Sequence, residues 1–334
     1  MINGKIRGKI EKNFKQRFKR KCCSAKGLFG IECSNKIIES HTISKSSSLK
    51  SIMNKDNKVY GLDLSFHGLT KNNGFLSIKE FGINEASTFL GFCSNHDKEL
   101  FSIFEDKPFI PTKEQLCLLS FRSLCREIYG KTGESQTKLL HELAVDPIEL
   151  EMLSYRDHLL AISKHELGIT LSDMIKIIEQ KKFDKLEYFI IELNSNAQIL
   201  VSGGFVPERD FNNQPVCDLL DETKILNYIF FNVVNYKGKG FCIFSWIKKP
   251  ETEIFKRFVK TLTQRKHRIA DNLVNFIFYH FENTFFSIDW WNKLEQAKQF
   301  EIKGRLVNFG FTKFSAHRVK NYRAFDIDKF YFVE

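Results

Sequence analysis

Apolar residues recur every three or four positions through much of the chain, which is the spacing of an amphipathic helix. The clearest case starts near Thr112, where Gln115 three residues later completes the pattern of a capped helix N-terminus, and it continues to Gly130. A short helix is also predicted near residues 49–53. The same spacing predicts helices over residues 93–104, 134–144, 147–165, 171–181, 251–265, 269–282 and 290–299.

The spacing changes at Leu186, where apolar runs separated by turn residues are typical of β-strands. Two successive hairpins are predicted, and together they would form an antiparallel meander. This order of elements indicates an α+β fold in which a helical block precedes an antiparallel sheet with helices. The predicted strands are residues 186–193 paired with 197–201, residues 228–236 paired with 240–246, and single strands within 36–45 and 322–333.

Composition and charge narrow the class of partner. The chain has 334 residues, 43% of them hydrophobic, which is enough to build a globular core. Its net charge of +11 favours a polyanionic partner, and nucleic acid is the first candidate. Residues 1–21 hold nine Lys and Arg residues against the single acid Glu11. This segment is either an arm that contacts phosphates or a solvated tail.

The number of cysteines and the absence of a recognisable targeting signal indicate the cellular compartment of the protein. Eight cysteines in a chain of this length do not indicate a disulfide framework. No apolar run is long enough to span a membrane, and the basic N-terminus is not followed by the apolar stretch of a signal peptide. We therefore expect a cytoplasmic protein. In that reducing compartment, clustered Cys and His residues indicate a metal site more often than a disulfide.

Two short Cys/His clusters supply the candidate ligands. The first contains Cys22, Cys23 and Cys33, and the second is the pair Cys93-x-x-His96 at the start of a predicted helix. Thiolate and imidazole ligands suit a closed tetrahedral zinc site. We predict a structural zinc bound by Cys33, Cys93, His96 and one of Cys22 or Cys23. The alternative is a set of unrelated thiols and a surface histidine.

The spacing within the first cluster is unusual. Nine or ten residues separate its cysteines, whereas a zinc knuckle has about two to four. Residues 25–32 include Gly27 and Gly30, and we predict that this insertion forms a loop that still brings the sulfur atoms together.

These segments resemble the HNH, or ββα-metal, endonuclease superfamily over about residues 20–105. Residues 38–45, Ile-Glu-Ser-His-Thr-Ile-Ser-Lys, look like the Ser-His-Ile-x-Lys variant common among bacterial phage-defence proteins. Residues 92–101, Phe-Cys-Ser-Asn-His-Asp-Lys-Glu-Leu-Phe, look like the closing helix, where members often read Cys-x-x-Cys-His. The resemblance implies a treble-clef domain in which a zinc knuckle precedes a strand ending in a catalytic histidine and a helix with two zinc ligands.

The resemblance also implies catalytic roles. His41 would be the general base, and its unperturbed pKa of about 6.5 suits that role in the cell. Asp97 stands where the last metal-binding histidine usually stands, and its carboxylate suits Mg²⁺ or Mn²⁺. Lys45 would neutralise a phosphate. The chain departs from the family at Ser40, where a His or Asp is usual. Two alternatives stay open: that His41 is a further zinc ligand or a structural residue, and that the altered site is inactive.

Together these observations predict a small zinc-bound treble-clef domain, a helical block and a C-terminal antiparallel sheet with helices. The predicted function is metal-dependent cleavage of nucleic acid, with DNA preferred over RNA, and the resemblance implies a role in anti-phage defence. One alternative is a non-catalytic zinc module that binds nucleic acid or protein. Another is an unrelated function in the C-terminal part. The C-terminal domain could also bind a protein partner or a second copy of the chain. The predicted divisions are the basic arm 1–21, the HNH-like domain 22–110, the helical segment 111–184 and the α+β domain 185–334.

Overall fold

The computed structural model describes residues 4–136, 138–144, 146–307 and 321–334. The fold is a mixture of helices and antiparallel strands with a helical block, as predicted. Its helices are α1 (Gly4–Arg17), α2 (Lys50–Ile52), α3 (Phe66–Lys71), α4 (Ser94–Glu105), α5 (Lys113–Glu134), α6 (Lys138–Leu143), α7 (Pro147–Glu179), α8 (Ile254–Thr263), α9 (Ile269–His280), α10 (Ile288–Lys293) and α11 (Gln296–Val307).

The strands form two antiparallel sheets. A two-stranded sheet pairs β1 with β4, and an eight-stranded sheet has the order β10-β5-β8-β7-β6-β9-β2-β3. The strands are β1 (Ile37–His41), β2 (Lys58–Asp63), β3 (Ser77–Gly82), β4 (Thr88–Cys93), β5 (Leu186–Leu193), β6 (Ile199–Phe205), β7 (Ile229–Tyr236), β8 (Lys239–Ile247), β9 (Thr284–Phe286) and β10 (Ile327–Phe332).

One of the two predicted hairpins is present and the other is not. β7 and β8 pair through the turn that contains Gly238, whose φ of +82° is readily adopted only by glycine. The prediction that β5 pairs with β6 is wrong, because β5 pairs with β8 and β10. The segment between β5 and β6 crosses the end of β7 instead of turning back. At the crossing, the Ala197 N–H donates a hydrogen bond to Asn235 Oδ1 at 2.9 Å.

The large sheet has a hydrophobic core on each face. Successive residues of β8 alternate between them, because side chains along a strand point to opposite faces. Phe241 and Ile243 belong to the core that includes α4, α5 and the β1–β4 hairpin, whereas Cys242 and Phe244 belong to the core with α8, α9 and α10. Burial on both faces explains why these strands are almost continuously apolar in sequence.

Most predicted helices are present with small differences in length. Thr112 caps α5 by accepting a hydrogen bond from the Gln115 N–H at 3.3 Å. Residues 147–181 were expected to hold two helices, but α7 runs unbroken from Pro147 to Glu179. The buried Glu166 fits into this helix because its carboxylate accepts a hydrogen bond from the Leu226 N–H at 2.9 Å.

Two features of the N-terminal part were not predicted. β2 and β3 lie where the sequence predicted no strand. They join the large sheet through β9, so this sheet includes strands from both sides of the predicted boundary near residue 110. The basic arm contains helix α1, whose Arg17 is only 6% exposed and donates to the Gln136 carbonyl at 3.2 Å. Among the described residues, no helix is long and apolar enough to cross a membrane.

Candidate metal centre and adjacent polar site

Four soft ligands converge beside the β1–β4 hairpin. Cys93 ends β4, and His96 lies in the first turn of α4. Cys23 and Cys33 come from the loop between α1 and β1. The four ligand atoms all lie within 4.8 Å of one another, with His96 Nδ1 at 3.1 Å from Cys93 Sγ and 3.5 Å from Cys23 Sγ. Ligands of a tetrahedral zinc ion are separated by roughly 3.5 to 3.8 Å. This cluster could therefore hold a metal ion such as zinc.

Hydrogen bonds hold the cysteine-bearing loop against β4 and α4. The N–H of Ser24, which follows the first ligand cysteine, donates to the Gly91 carbonyl at 2.8 Å. Asn95 Nδ2 in the first turn of α4 donates at 3.2 Å to the carbonyl of Glu32, which precedes the second ligand cysteine. These bonds fix both ends of the loop close to the start of the helix, so the four ligands are arranged by the protein itself.

The residues between the two loop cysteines form the predicted loop. Gly27 and Gly30 have φ values of +77° and +65°, which glycine adopts without strain. Ala25 is fully buried, and the ring of Phe29 lies 5.4 Å from that of Phe121 in an edge-on contact. The insertion is therefore packed against α5, and this packing compensates for the long spacing between the cysteines.

The structure separates the two adjacent cysteines that the sequence left as alternatives. Cys23 belongs to the four-ligand cluster, and Cys22 does not. The Cys22 thiol lies 3.9 Å from the Leu90 carbonyl oxygen instead. Cys22 is therefore not a ligand of this cluster.

The two thiols nearest His96 differ in their tendency to ionise. Burial opposes the charged form of Cys93, but hydrogen bonds from the backbone and side chain of His96 and from Ser34 outweigh it and lower the pKa of Cys93 to about 5. Burial raises the pKa of Cys23 to about 11. The thiolate is the form that binds metal. The Cys93 thiol is therefore already ionised at neutral pH and able to bind a metal ion.

His41 occupies the last position of β1, as expected for the catalytic histidine of the resemblance. Its Nε2 lies 3.1 Å from the Ile83 carbonyl oxygen, which can only accept a hydrogen bond. Nε2 therefore carries the proton, and Nδ1 of the neutral ring is left as an acceptor. Burial lowers the pKa of His41, as do the charges of Lys45 and Arg122. His41 is not among the four clustered ligands.

Asp97 directly follows the ligand His96 and is half-buried in the first turn of α4. Burial raises its pKa, while the charges of Arg122 and His41 lower it, so Asp97 and His41 are close enough to influence each other's ionisation. Among the described residues, Asp97 Oδ1 and Ser40 Oγ are both buried and form no hydrogen bond within 3.5 Å, although Ser40 lies close enough to Asp97 to lower the pKa of its carboxyl group. A buried carboxylate oxygen whose hydrogen-bonding capacity is not filled is able to accept a bound cation.

A buried ion pair that was not predicted completes the site. Arg122 on α5 is 2% exposed and donates to Glu105 Oε1 at 2.8 Å, while Ser44 Oγ donates to Glu105 Oε2 at 2.7 Å. The guanidinium carbon lies 4.9 and 4.7 Å from the ring centres of Phe101 and Phe104. The partner Glu105 is 17 positions away on another helix, so helical spacing could not identify it.

Comparisons of the chain with models of protein families, with curated protein sequences and with solved structures gave no match.

Proposed function

We propose that this protein is a metal-dependent nuclease of the HNH type, with a structural zinc ion bound by Cys23, Cys33, Cys93 and His96. The observation that carries this proposal is the position of His41. His41 ends β1 with Nε2 bound to the Ile83 carbonyl, which leaves Nδ1 as an acceptor, and its charge influences Asp97, the residue that follows the cluster residue His96. A base, a hard-metal ligand and a soft-metal cluster on one hairpin and its helix are the parts that such an enzyme needs.

The order of elements around the cluster supports a treble-clef arrangement. The cysteine-bearing loop is followed by β1, then by the insertion that contains β2 and β3, and then by β4 and α4. Two of the ligands come from the loop and two from the junction of β4 with α4. We infer that the 46 residues between His41 and Thr88 (positions 42–87) are an insertion within the hairpin that connects this small unit to the large sheet.

The proposed reaction is hydrolysis of a phosphodiester bond. His41 Nδ1 takes a proton from the attacking water, whose oxygen forms the new bond to phosphorus as the bond to the leaving oxygen breaks, and solvent returns a proton to that oxygen. Asp97 fits a divalent ion such as Mg²⁺ or Mn²⁺ through its unpartnered oxygen, and the bound ion would supply stabilisation of negative charge. Lys45 lies close enough to His41 for its charge to lower the pKa of the histidine, and it would neutralise a phosphate oxygen.

A plasmid-nicking assay tests this function. We expect the purified chain to nick DNA in Mg²⁺ or Mn²⁺, and EDTA to stop the reaction. His41→Ala should abolish cleavage while leaving the metal content and the melting temperature unchanged, because His41 is not a ligand of the soft cluster. The matched control is His67→Ala, which removes an exposed histidine on α3 and should keep the parent rate. Equal rates for the parent and His41→Ala would refute the nuclease function.

The second candidate function is a zinc-stabilised module that binds nucleic acid without cutting it. The observation that favours it is the packing of α1, which presents the exposed Lys9, Lys12 and Lys15 from a helix whose Arg17 is buried. Such a module would keep its zinc in EDTA, and it would bind DNA without cutting it. The same His41→Ala variant separates the two functions, because binding by this module does not need the base.

A further inference from the structure

A second polar cavity lies between α5, β6 and the residues that follow α9. It has a volume of about 160 Å³. None of the candidate metal ligands or catalytic residues lines it, so an inference drawn from it is independent of the proposed nuclease function. Its polar walls include Arg126, Glu127, Lys131, Glu134, Tyr228 and Glu282.

The charges around this cavity are only partly paired. Lys131 Nζ lies 3.3 Å from Glu134 Oε2, which closes one ion pair. Within the described part of the chain, Arg126, Glu127 and Glu282 form no ion pair within 4 Å, while the charge of Arg126 lowers the pKa of both carboxyl groups. One cation and two carboxylates therefore face the cavity with a formal net charge of −1. Partly buried charges that lack an ion-pair partner are less well solvated than in water, and a ligand of opposite charge would stabilise them.

The backbone of β6 makes room for one of these carboxylates. A Cβ atom at Gly203 would lie 3.3 Å from Glu127 Oε1 and 2.8 Å from a ring carbon of Phe281. Glycine at this strand position therefore allows the carboxylate to lie against the strand. Burial also raises the pKa of both Glu127 and Glu282, although the charges of Arg126 and Lys131 oppose that rise.

The cavity also has an apolar wall, to which Leu167, Tyr228 and Phe281 contribute. Leu167 and Phe281 are 1% and 3% exposed, so they are fixed parts of the core. A pocket with one apolar side and a few convergent charged groups suits a small molecule with a hydrocarbon body and charged ends.

We propose that this cavity binds a small basic amino acid. Its carboxylate would pair with Arg126, its two cationic groups would pair with Glu127 and Glu282, and its methylene chain would pack on Leu167 and Phe281. Such a ligand carries a net charge of +1, which complements the net charge of −1 of the three unpaired wall residues.

Isothermal titration calorimetry on the full chain tests the ligand class. L-arginine and L-lysine are the probes, and at least one should bind with a Kd below about 1 mM. Agmatine, which lacks the carboxylate, and L-glutamate, which has the wrong net charge, should each bind at least about tenfold more weakly. Absence of binding by both basic amino acids overturns the proposal, and so does binding of agmatine as tight as that of L-arginine.

Two variants test the site. Glu282→Gln and Arg126→Gln each remove one unpaired charge with little change in shape, and each should weaken binding of the better probe by about tenfold or more. Glu149→Gln, which removes an exposed carboxylate on α7, is the control and should bind like the parent. Melting curves without ligand show that each variant is folded. Folded variants that bind as tightly as the parent would place the ligand elsewhere and overturn the proposal.

Discussion

One ring nitrogen of His41 is engaged and the other is available. Nε2 donates to the Ile83 carbonyl, so the neutral ring presents Nδ1 as a proton acceptor. Partial burial and the positive charges of Lys45 and Arg122 lower the pKa of His41, and they outweigh the opposite influence of the Ile83 hydrogen bond and of Glu105. These contacts give His41 the protonation state that a general base requires at neutral pH.

The lowered pKa of His41 predicts the pH dependence of cleavage. Only the neutral ring accepts a proton, so the rate should rise with pH through the pKa of His41 and then stay constant. Because that pKa is lowered from its ordinary value of about 6.5, the half-maximal rate should occur below about pH 6.5. Nicking rates at saturating Mn²⁺ between pH 5 and 8 measure this. A half-maximal rate above pH 7 would mean that His41 is not the base.

Asp97 stands where the resembling family usually has a metal-binding histidine. We predict that replacing Asp97 lowers the affinity for the catalytic metal ion. Asp97→Ala removes the buried, unpartnered carboxylate oxygen, so the Mg²⁺ concentration for half-maximal cleavage should rise by roughly tenfold or more. Asp106→Ala removes an exposed carboxylate just after the same helix and should have no such effect. A titration of rate against Mg²⁺ distinguishes them. Equal midpoints for the two variants would exclude Asp97 as a metal ligand.

At the scale of single residues, the sequence predicted three of the four clustered residues and left the fourth as a choice between two neighbouring cysteines. Cys33, Cys93 and His96 were predicted, but the choice between Cys22 and Cys23 was not, because adjacent residues in a loop have no periodic orientation. Glu105 was missed for a different reason. Its role depends on Arg122 and Ser44, which approach it only after α4 has packed on α5.

At the scale of elements, the cysteine-bearing loop and the start of α4 are connected by few groups other than the four ligands. The loop packs through Ala25 and Phe29, and hydrogen bonds such as that from Asn95 to Glu32 join it to the helix. A bound metal would add four strong bonds between the same two elements. Metal binding and folding of this region should therefore be coupled.

This coupling predicts opposite results for two cysteine variants. Cys93→Ser should remove the stoichiometric zinc and lower the melting temperature, because a ligand at the junction of strand and helix is lost. Cys22→Ser should keep both the zinc and the melting temperature, because Cys22 lies outside the cluster. Elemental analysis of freshly purified protein and thermal unfolding measure the two properties. Zinc loss from Cys22→Ser, or full zinc in Cys93→Ser, would show that the ligand set is incorrect.

The strand pairing set by a local turn was predicted, and the pairings between distant segments were not. The β7–β8 hairpin was predicted because its turn contains Gly238, a local signal. β2 was missed because its partners are β3 and β9, and β9 lies more than 200 residues further along the chain. The pairing of β5 with β6 was expected from their closeness in sequence alone, and the sheet places β8 beside β5 instead.

At the scale of the whole molecule, α5 connects the two sites. Arg122 belongs to the polar site beside the metal centre, and Arg126 one turn later lines the second cavity. The same helix packs against α4, α7 and the strands β6 and β7. Groups on such a well-packed helix keep their positions, which favours precise placement of charged side chains at both sites.

If the proposed nucleic-acid binding uses the basic helix α1, the salt dependence of DNA binding should change when its exposed lysines are replaced. α1 is held by the buried Arg17, so its exposed lysines form a fixed surface. Replacing Lys9 and Lys12 by Gln should lower the slope of log K against log salt by about two for DNA binding, since each lost phosphate contact lowers it by roughly one. The control replaces Lys237 and Lys239, which are also exposed but lie at the β7–β8 turn, and it removes the same net charge. Fluorescence anisotropy across a salt series measures both slopes. Equal reductions in the two variants would mean that net charge alone, and not the surface of α1, attracts the DNA.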